Sequence, residues 1–440
     1  MTAAVAVLLA GLALVAPGCG HEESPPLAPS IEPAAQAPAQ EAEIPGRWRQ
    51  LRPERLDPEL DAEQRELVAR LESIGYASGS QPAPAVSGVT VNDPARAWSG
   101  LNFYTSGHAP EALLVDMQGK PLHRWHYKFL DAFPDFPEAW LTEGAEFWRR
   151  AHLYENGDVL AIFEGLGLIK LDASSKLLWA SPLRAHHDLE VLPNGDIVVL
   201  TRRAHMRPHL DPEKPILEDF ITVLDANGKD KRSVSLLAAL ERSDFSDLWQ
   251  PNLRLFGDVF HTNTVSVLDG RLESKLPGFR AGNVLVSLLV PDLIAVVDLD
   301  AEQVVWAARG SFRHQHDPKL LGNGRLLLFD NRGADPYSRV LELDPLDLER
   351  VEWSYAGSAE RPFFSATCGS AERLPNGNTL ITESDAGRAF EVTPDGETVW
   401  EFVNPHRAGD AGELVATLFE LLRLPPDFPV EWPASRAASR

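Results

Sequence analysis

Cysteine is scarce in this chain, which has only Cys19 and Cys368 among its 440 residues. Two cysteines cannot form the network of disulfides that holds small secreted domains together, and they cannot supply a cysteine-based zinc site. We expect Cys368 to behave as a small, buried hydrophobic residue. The fold must therefore depend on a hydrophobic core, which the 44% share of hydrophobic residues is large enough to build.

Long apolar segments are also lacking. The apolar stretch Ala3–Ala16 is too short to span a bilayer permanently, and it leads into the small-residue sequence Ala16-Pro17-Gly18-Cys19. This pattern predicts an export signal at residues 1–19. Gly18-Cys19 resembles a bacterial lipoprotein processing site, at which Cys19 would be lipidated. We expect an exported protein, periplasmic or on the outer surface, whose membrane contact is through this lipid; simple secretion is the alternative.

Basic residues are in the minority. The chain has 41 Lys and Arg against 64 Asp and Glu, a formal net charge of −23. This balance argues against a nucleic-acid partner. An anionic substrate must therefore be captured by a local cationic site, because the surface as a whole would repel it.

The ends of the chain differ in composition from its middle. Residues 20–46 are rich in Pro and Ala without a periodic apolar pattern, which predicts a disordered linker. A short helical segment is predicted within residues 47–85. The helical spacing of Ala411–Arg423 predicts a helical and Pro-rich tail over residues 406–440.

A unit of sequence recurs six times in the middle of the chain. It consists of an apolar or alternating strand, an Asp, a turn and a second strand that usually ends in Trp. The copies are Leu113–Trp125, Leu168–Trp179, Ile221–Val234, Ile294–Trp306, Val340–Trp353 and Phe390–Trp400. The Asp of this unit marks its position; it is present in five copies and is replaced by Thr393 in the sixth. It recurs about every 55 residues on average, near the length of a propeller blade.

A hairpin precedes five of these units. Its turns are Asn156-Gly157, Asn194-Gly195, Asp269-Gly270, Asn323-Gly324 and Asn376-Gly377. Such turns between alternating strands are strong hairpin signals. The two elements together give four antiparallel strands per repeat. We therefore predict an all-β fold, a six-bladed β-propeller over residues 86–405 with short flanking helices, whose first blade begins with Gly88–Val91.

The repeats place several polar residues at equivalent positions, just before the first strand of each blade. His187 and His316 share this position, Asn263 falls on or near it, and His261 lies two residues before Asn263. Arg149 and Arg150 hold the comparable position in the second blade. Because the first strands of a propeller surround its central axis, we expect these side chains to converge at one mouth of the channel. Histidines and arginines together predict a reaction centre there.

The chemistry of this cluster suits group transfer to a nucleophile. A neutral imidazole is a good nucleophile near pH 7, and a neighbouring histidine can protonate a leaving oxygen. Arg or amide donors can hold the oxygens of an anionic transition state. Sulfuryl and phosphoryl transfer both need these components.

The motifs HHDLEVLPNG, FHTNTV, QHDPKLLGNG with FDN, and RLPNGNTLITES resemble those of the arylsulfotransferase family of exported bacterial propeller enzymes. The resemblance extends over roughly residues 97–405. It implies transfer of a sulfuryl group from an aryl sulfate to a phenol, through a sulfohistidine and without a nucleotide sulfate donor or another cofactor. By matching motifs, His316 would be the nucleophile, and His187, His186 and His261 would assist at the donor and acceptor oxygens.

The chain departs from the family pattern at one point. Where the family usually shows an arginine after the HxN motif, this chain has Ser287-Leu288-Leu289. A leucine cannot hold an anionic oxygen as a guanidinium does. We expect Arg149, Arg150 or Arg332 to take over this role, with Asn263 as a further contact to the substrate.

Two other functions use the same residues. In the first, His187, His261 and His316 would bind a zinc-like ion, with Asp317 or Asp188 nearby, in a hydrolase or lyase. In the second, the chain would be a non-catalytic lipoprotein that binds a ligand or a protein at its channel mouth, since propellers support many functions.

Overall fold

The structure is a computed structural model that describes residues 81–137, 141–250, 257–408 and 411–432. These residues belong to one unit of the chain, Pro45–Arg440. The predicted export signal at residues 1–19 with Cys19, the linker at residues 20–46 and the helical segment up to residue 80 lie outside the described residues.

Six antiparallel sheets of four or five strands make up the described part of the chain, and we number them I to VI. Sheet I consists of β28 (Leu418–Leu424), β3 (Leu101–Ser106), β4 (Glu111–Val115) and β5 (Pro121–His126). Sheet II consists of β6 (Trp148–Leu153), β7 (Val159–Phe163), β8 (Gly167–Leu171) and β9 (Leu177–Ser181). Sheet III consists of β10 (Ala185–Val191), β11 (Ile197–Arg207), β12 (Asp211–Leu224) and β13 (Asp230–Ser235).

The remaining sheets follow in chain order. Sheet IV consists of β14 (Thr262–Val267), β15 (Val284–Leu288), β16 (Leu293–Asp298) and β17 (Gln303–Ala308). Sheet V consists of β18 (His316–Leu320), β19 (Leu326–Ala334), β20 (Tyr337–Asp344) and β21 (Asp347–Ala356). Sheet VI consists of β22 (Ser370–Arg373), β23 (Thr379–Glu383), β24 (Arg388–Val392), β25 (Thr398–Val403) and β2 (Gly88–Asn92). A small sheet joins β1 (Gln81–Pro82), β27 (Leu414–Val415) and β26 (Arg407–Ala408).

Helices play a minor part in the described residues. The α-helices are α1 (Phe129–Ala132) and α2 (Leu236–Glu241), with 3₁₀ turns at Glu143–Ala145, Ser246–Leu248 and Pro277–Phe279. Helix α2 begins where the Ser235 hydroxyl accepts a hydrogen bond from the backbone N–H of Ala238. Within the described part of the chain, no helix has the length and apolar character needed to cross a bilayer.

The marker Asp of the repeat forms the turn between the third and fourth strands of a sheet. One carboxylate oxygen of Asp172 accepts backbone hydrogen bonds from Ser174 and Lys176, and Asp225 does the same for Asn227 and Lys229. Such an Asx turn closes a hairpin locally. The repeats are therefore read correctly from sequence, and the prediction of an all-β fold of four-stranded antiparallel sheets is confirmed.

The Trp of the repeat joins one sheet to the next. The indole of Trp125 donates to the carbonyl of Gly157 in sheet II, over 2.9 Å. In the same way Trp353 of sheet V donates to Pro394 in sheet VI. Trp400 of sheet VI donates to Met117 in sheet I. Trp125 and Trp400 are fully buried, so each satisfies its one polar atom while filling the space between two sheets.

Two predictions about the ends of the sheet region are wrong. Ala411–Arg423 is not a helix, because Leu418–Leu424 forms β28, the first strand of sheet I, paired with β3. Gly88–Asn92 is not the first strand of that sheet and pairs instead with β25 in sheet VI. A strand buried on both faces shows no alternation of polar and apolar residues, so its apolar spacing can be mistaken for that of a helix.

Contacts between the first strands run through all six sheets. Arg150 of sheet II forms ion pairs with Asp188 of sheet III, at 3.0 Å, and with Glu420 of sheet I. The other Asp188 oxygen accepts from the backbone of Val265 in sheet IV, over 3.0 Å.

The same line of contacts continues to sheet VI and back to sheet I. The Thr264 hydroxyl accepts from the backbone of Asp317 in sheet V, and the Asp317 carboxylate accepts from the backbone of Ala371 in sheet VI. Leu421 of sheet I then donates to the hydroxyl of Thr382 in sheet VI. We call the side chains of Arg150, Asp188, Thr264, Asp317 and Glu420 the polar belt.

Replacing Arg150 should destabilise the protein strongly, because Asp188 and Glu420 would remain buried as unpaired like charges. We expect Arg150→Ala to lower the free energy of unfolding by about 3–5 kcal/mol. The control is Arg350→Ala, since Arg350 is 59% exposed and pairs at the surface with Glu352; it should cost less than about 1 kcal/mol. Urea unfolding followed by circular dichroism measures both, and equal effects of the two variants would contradict the structural role of the belt.

Candidate active site

Irregular pairing at the start of the first strands positions the candidate residues. Register shifts occur between Trp148 and Arg150 in sheet II and between Thr262 and Thr264 in sheet IV. Similar shifts lie between Ala185 and Leu189, between His316 and Lys319 and between Leu418 and Glu420. A bulge adds a residue whose side chain leaves the regular alternation of the strand. The residues at these bulges therefore lie next to the polar belt at one end of the first strands.

Four residues at or just before the start of a first strand have a left-handed backbone, which side chains other than Gly rarely adopt. The φ angles are 55° at His187, 51° at His261, 55° at Asp317 and 56° at Cys368. Such conformations persist only where the surroundings enforce them, and they cluster at functional sites. The Glu164 carboxylate enforces one of them by accepting the backbone N–H of His187 over 3.0 Å.

His316 is held with one ring nitrogen fixed. Its Nδ1 lies 2.8 Å from Asn331 Oδ1 and 3.0 Å from the carbonyl of His314. The amide nitrogen of Asn331 donates to the carbonyls of Ser365 and Cys368, so its oxygen must face His316 as an acceptor. His316 Nδ1 therefore carries the proton, and Nε2 carries the lone pair of a nucleophile.

Burial keeps His316 neutral. The side chain is almost wholly enclosed, and this desolvation, reinforced by the charge of Arg149, lowers the pKa of His316 to about 3. The hydrogen bond from Nδ1 to Asn331 opposes the shift without cancelling it. An imidazole with this pKa is unprotonated at any physiological pH, as a nucleophile must be.

His187 and His186 form a pair in sheet III. Their Nδ1 atoms lie 2.9 Å apart, and the His187 Nδ1 is 3.6 Å from Glu164. Burial, together with neighbouring positive groups, lowers the pKa values of both rings well below the usual value. His186 has no exposed surface and lies 3.4 Å from Asp219. His186 contacts the ring of His187, and its predicted contact with the substrate stays a prediction.

His261 is the most accessible histidine of the cluster, with 21% of its side chain exposed. Its ring lies 5.1 Å from that of His187, centroid to centroid. Its Nδ1 lies 2.9 Å from Asp258 Oδ2, and the other Asp258 oxygen accepts the backbone N–H of His261. A carboxylate at Nδ1 orients the ring and leaves Nε2 as the nitrogen that can give or take a proton.

The structure separates the two neighbouring arginines. Arg150 points into the polar belt, where it pairs with Asp188 and Glu420; its predicted role in substrate binding stays a prediction. Arg149 lies in the bulge, with its guanidinium 5.0 Å above the ring of Phe419 and its Nε 3.8 Å from Glu164. That Nε has no hydrogen-bond partner among the described residues. Of the two arginines, Arg149 is therefore the one that lies in the bulge and outside the polar belt.

The remaining predicted contacts lie at the edge of the cluster. Asn263 is buried, and its amide donates to the carbonyl of Gln315, the residue before the candidate nucleophile. It therefore positions His316 through the backbone. Arg332 lies over the ring of Phe364, 5.7 Å from its centre. No described contact joins Arg332 to His316, His187 or His261.

Four polar residues of the site were not assigned a role from sequence: Glu164, Asp219, Asp258 and Asn331. The first three lie outside the bulge positions, so the register of the repeats could not reveal them. Asn331 does belong to the FDN motif, which marks the segment without showing that it contacts His316.

A metal ion would find its ligands in a different set from the one predicted. Among the described residues, donor atoms of Glu164, His186 and His187 lie within 4.8 Å of one another. His187, His261 and His316, the predicted ligands, do not form such a group in the described part of the chain. Asp188 and Asp317 belong to the polar belt.

A family model described as Arylsulfotransferase (ASST) matches residues 150–405, more than half of the chain. The chain belongs to the arylsulfotransferase family. The resemblance found from the motifs is thus confirmed, and membership implies aryl sulfotransfer, with aryl sulfates and phenols as the substrates of the family. No curated protein matches the chain.

Solved structures resemble the chain only distantly. A protein of unknown function from Bacteroides caccae is 12% identical, with a TM-score of 0.46 over 73% of this chain and 98% of that one. A streptogramin B lyase is 12% identical, with a TM-score of 0.42 over 78% and 95% of the two chains. The WD40 β-propeller domain of Doa1 is 12% identical, with a TM-score of 0.38 over 74% and 79%.

The family arginine is absent from its expected place in this arylsulfotransferase. Leu288 ends strand β15 inside the hydrophobic core, and Leu289 begins the turn that follows. Ser287 exchanges hydrogen bonds with the backbone and side chain of Gln315. This stretch therefore supports the His316 segment but offers no cation to a substrate.

The ring of His316 should remain neutral and protonated on Nδ1 at moderately acidic pH. Because burial holds its pKa at about 3, lowering the pH from about 8 to about 5 should not charge it. NMR of protein labelled with 15N histidine measures the tautomer, and His316→Asn identifies the resonance. A His316 signal that becomes doubly protonated above pH 5 would contradict the buried, hydrogen-bonded environment.

Proposed function

We propose that this arylsulfotransferase transfers a sulfuryl group from an aryl sulfate to a phenol through a covalent intermediate on His316, without a nucleotide sulfate donor. The observation that carries the proposal is the hydrogen bond between His316 Nδ1 and Asn331 Oδ1. Because Asn331 also donates to two carbonyls, it directs the lone pair of His316 to Nε2. Family membership supplies the class of reaction.

We further propose that the six sheets are the blades of one six-bladed β-propeller. Each sheet contacts the next through the polar belt or a Trp side chain, and sheet VI contacts sheet I through Trp400. Sheet I itself combines strands from the two ends of the described chain, β28 with β3. A ring closed in this way would place the bulge residues of every sheet around one axis.

In the first half of the reaction, His316 Nε2 attacks the sulfur atom of the donor. A bond forms between nitrogen and sulfur while the bond from sulfur to the aryl oxygen breaks, and the aryl oxygen keeps the electron pair. Protonated His261 gives its Nε2 proton to that oxygen, and Asp258 holds the ring in position at Nδ1. The products are a phenol and sulfohistidine.

The second half reverses these steps with another phenol. Neutral His261 takes the proton of the acceptor hydroxyl as its oxygen attacks sulfur, and the bond from nitrogen to sulfur breaks. His316 regains its lone pair, and His261 returns to its protonated form. His187 lies next to His261 and contacts Glu164 and His186. It would form one side of the space in which both phenols react.

Arg149 is the group we propose for the sulfuryl oxygens, in place of the arginine missing at Leu289. It is buried, and its positive charge reaches both His187 and His316, where it contributes to their lowered pKa values after the larger effect of burial. A guanidinium in a dry site binds a developing anion more strongly than one in water. Phe419 below it and Glu164 beside it restrict its movement.

Loss of His316 should abolish transfer. His316→Asn keeps a polar side chain of similar reach but has no nucleophilic nitrogen, so we expect no turnover of a chromogenic aryl sulfate with a phenol acceptor. His209→Asn, at an exposed histidine, is the control and should retain full activity. Wild-type protein incubated with donor alone should become sulfated on His316, as peptide mass spectrometry can show.

Two results would contradict this mechanism. Full turnover by His316→Asn would remove His316 from the reaction. Well-folded wild-type protein that neither transfers the sulfuryl group nor becomes sulfated would favour the alternative of a non-catalytic protein that binds a ligand or a protein.

Replacing Arg149 should slow transfer without unfolding the protein. Because Arg149 would stabilise charge in the transition state, Arg149→Ala should lower kcat/KM by about 100- to 1,000-fold, and Arg149→Lys by less because it keeps the charge. Arg332→Ala, the control, should have a small effect. Steady-state kinetics measures kcat/KM of each variant, and circular dichroism checks that each is folded. Unchanged kcat/KM in Arg149→Ala would show that the sulfuryl oxygens bind elsewhere.

A further inference from the structure

Two histidines that take no part in the proposed transfer meet a carboxylate where sheets I and VI come together. His108 lies in the connection between β3 and β4, Glu111 begins β4, and His406 follows β25. One donor atom from each of the three side chains lies within 4.8 Å of the others. None of the three belongs to the bulge positions or to the polar belt.

Hydrogen bonding leaves ligand atoms unused in this group. His108 Nε2 lies 2.9 Å from Glu111 Oε1, while His108 Nδ1 and His406 Nε2 are enclosed without a hydrogen-bond partner among the described residues. The two rings are stacked, with centroids 3.3 Å apart and planes 7° from parallel. Enclosed polar atoms without partners are unfavourable, and native structures usually satisfy them.

We propose that His108, Glu111 and His406 bind a divalent transition-metal ion of the zinc type. Two imidazoles and one carboxylate are ligands that zinc accepts with tetrahedral geometry, leaving one position for water. Magnesium and calcium prefer sites made of oxygen atoms, so two imidazole ligands select against them.

The surroundings hold two of the three ligands in place. Arg124 donates to Glu111 Oε2 over 2.5 Å, which leaves Oε1 directed toward the histidines. The backbone of His406 is fixed at both ends, because its N–H donates to Asn404 and its carbonyl accepts from Ala416. Binding then requires that the hydrogen bond between His108 Nε2 and Glu111 Oε1 breaks and that one ring turns out of the stack, so that one nitrogen of each ring and Oε1 meet the same ion.

The bound ion would join the two sheets that contain the ends of the described chain. Sheet I depends on β28, which reaches it from the far end of the sequence, and sheet VI includes β2 from the near end. His108 belongs to the first sheet, and His406 lies between β25 and β26. A metal that binds only the folded protein raises its stability, since the free energy of binding adds to that of folding.

Calorimetry with Zn²⁺ tests the proposal on full-length protein freed of metal by EDTA. We expect one binding site in the wild type, at least tenfold weaker binding in His108→Asn and His406→Asn, and no binding of Mg²⁺. Zinc at about 100 times the dissociation constant should raise the wild-type Tm by on the order of 5 °C, and EDTA should reverse the shift.

The matched control is His209→Asn, because His209 forms an exposed pair with Glu241 at 2.9 Å and belongs to no described metal group. It should bind zinc like the wild type. Metal-free His406→Asn should unfold at the same temperature as the metal-free wild type and should keep sulfuryl transfer unchanged, which separates lost binding from misfolding. Absence of zinc binding in the wild type, or equal affinity in His406→Asn, would overturn the proposal; the second result would place the ion at another group such as Glu164, His186 and His187.

Discussion

The burial of Arg150 between Asp188 and Glu420 is the interaction on which the rest of the structure depends. It joins the first strands of sheets I, II and III in a buried region, where an unpaired charge would be very unfavourable. Asp188 then binds the backbone of sheet IV, and Asp317 that of sheet VI. The same residues that stabilise the contacts between sheets thereby fix the first strands relative to one another, together with the bulges next to them.

In the site, each of the three histidines contacts a polar group that fixes its ring or its backbone in one orientation. Asn331 decides the tautomer of His316 because its own amide has two other acceptors to satisfy. Asp258 orients His261, and Glu164 holds the left-handed backbone of His187. A strained or buried polar group is unfavourable for folding, but it removes the need for reorganisation when the substrate reacts.

The sequence predicts those parts of the fold that depend on local interactions. Asx turns and Asn-Gly hairpins are formed by neighbouring residues, so the repeated sheets could be read directly. The partners of β28 and β2 are set by contacts across the whole chain, which no local pattern contains. In the site, the repeat register gave His187, Asn263 and His316 equivalent positions near the start of their first strands. It could not separate Arg149 from Arg150, because a bulge reverses which of two neighbours faces the strand partner.

The position of Arg149 bears on how the missing family arginine can be replaced. The charge of Arg149, in the bulge of sheet II, acts on both His187 and His316, so it is the cation that we propose in place of the one missing from sheet IV. The anionic oxygens would then be held from the side of Glu164 and Phe419, and the turn at Leu289 would present an apolar surface. Contact with this apolar surface would stabilise an aryl group more than a sulfuryl group.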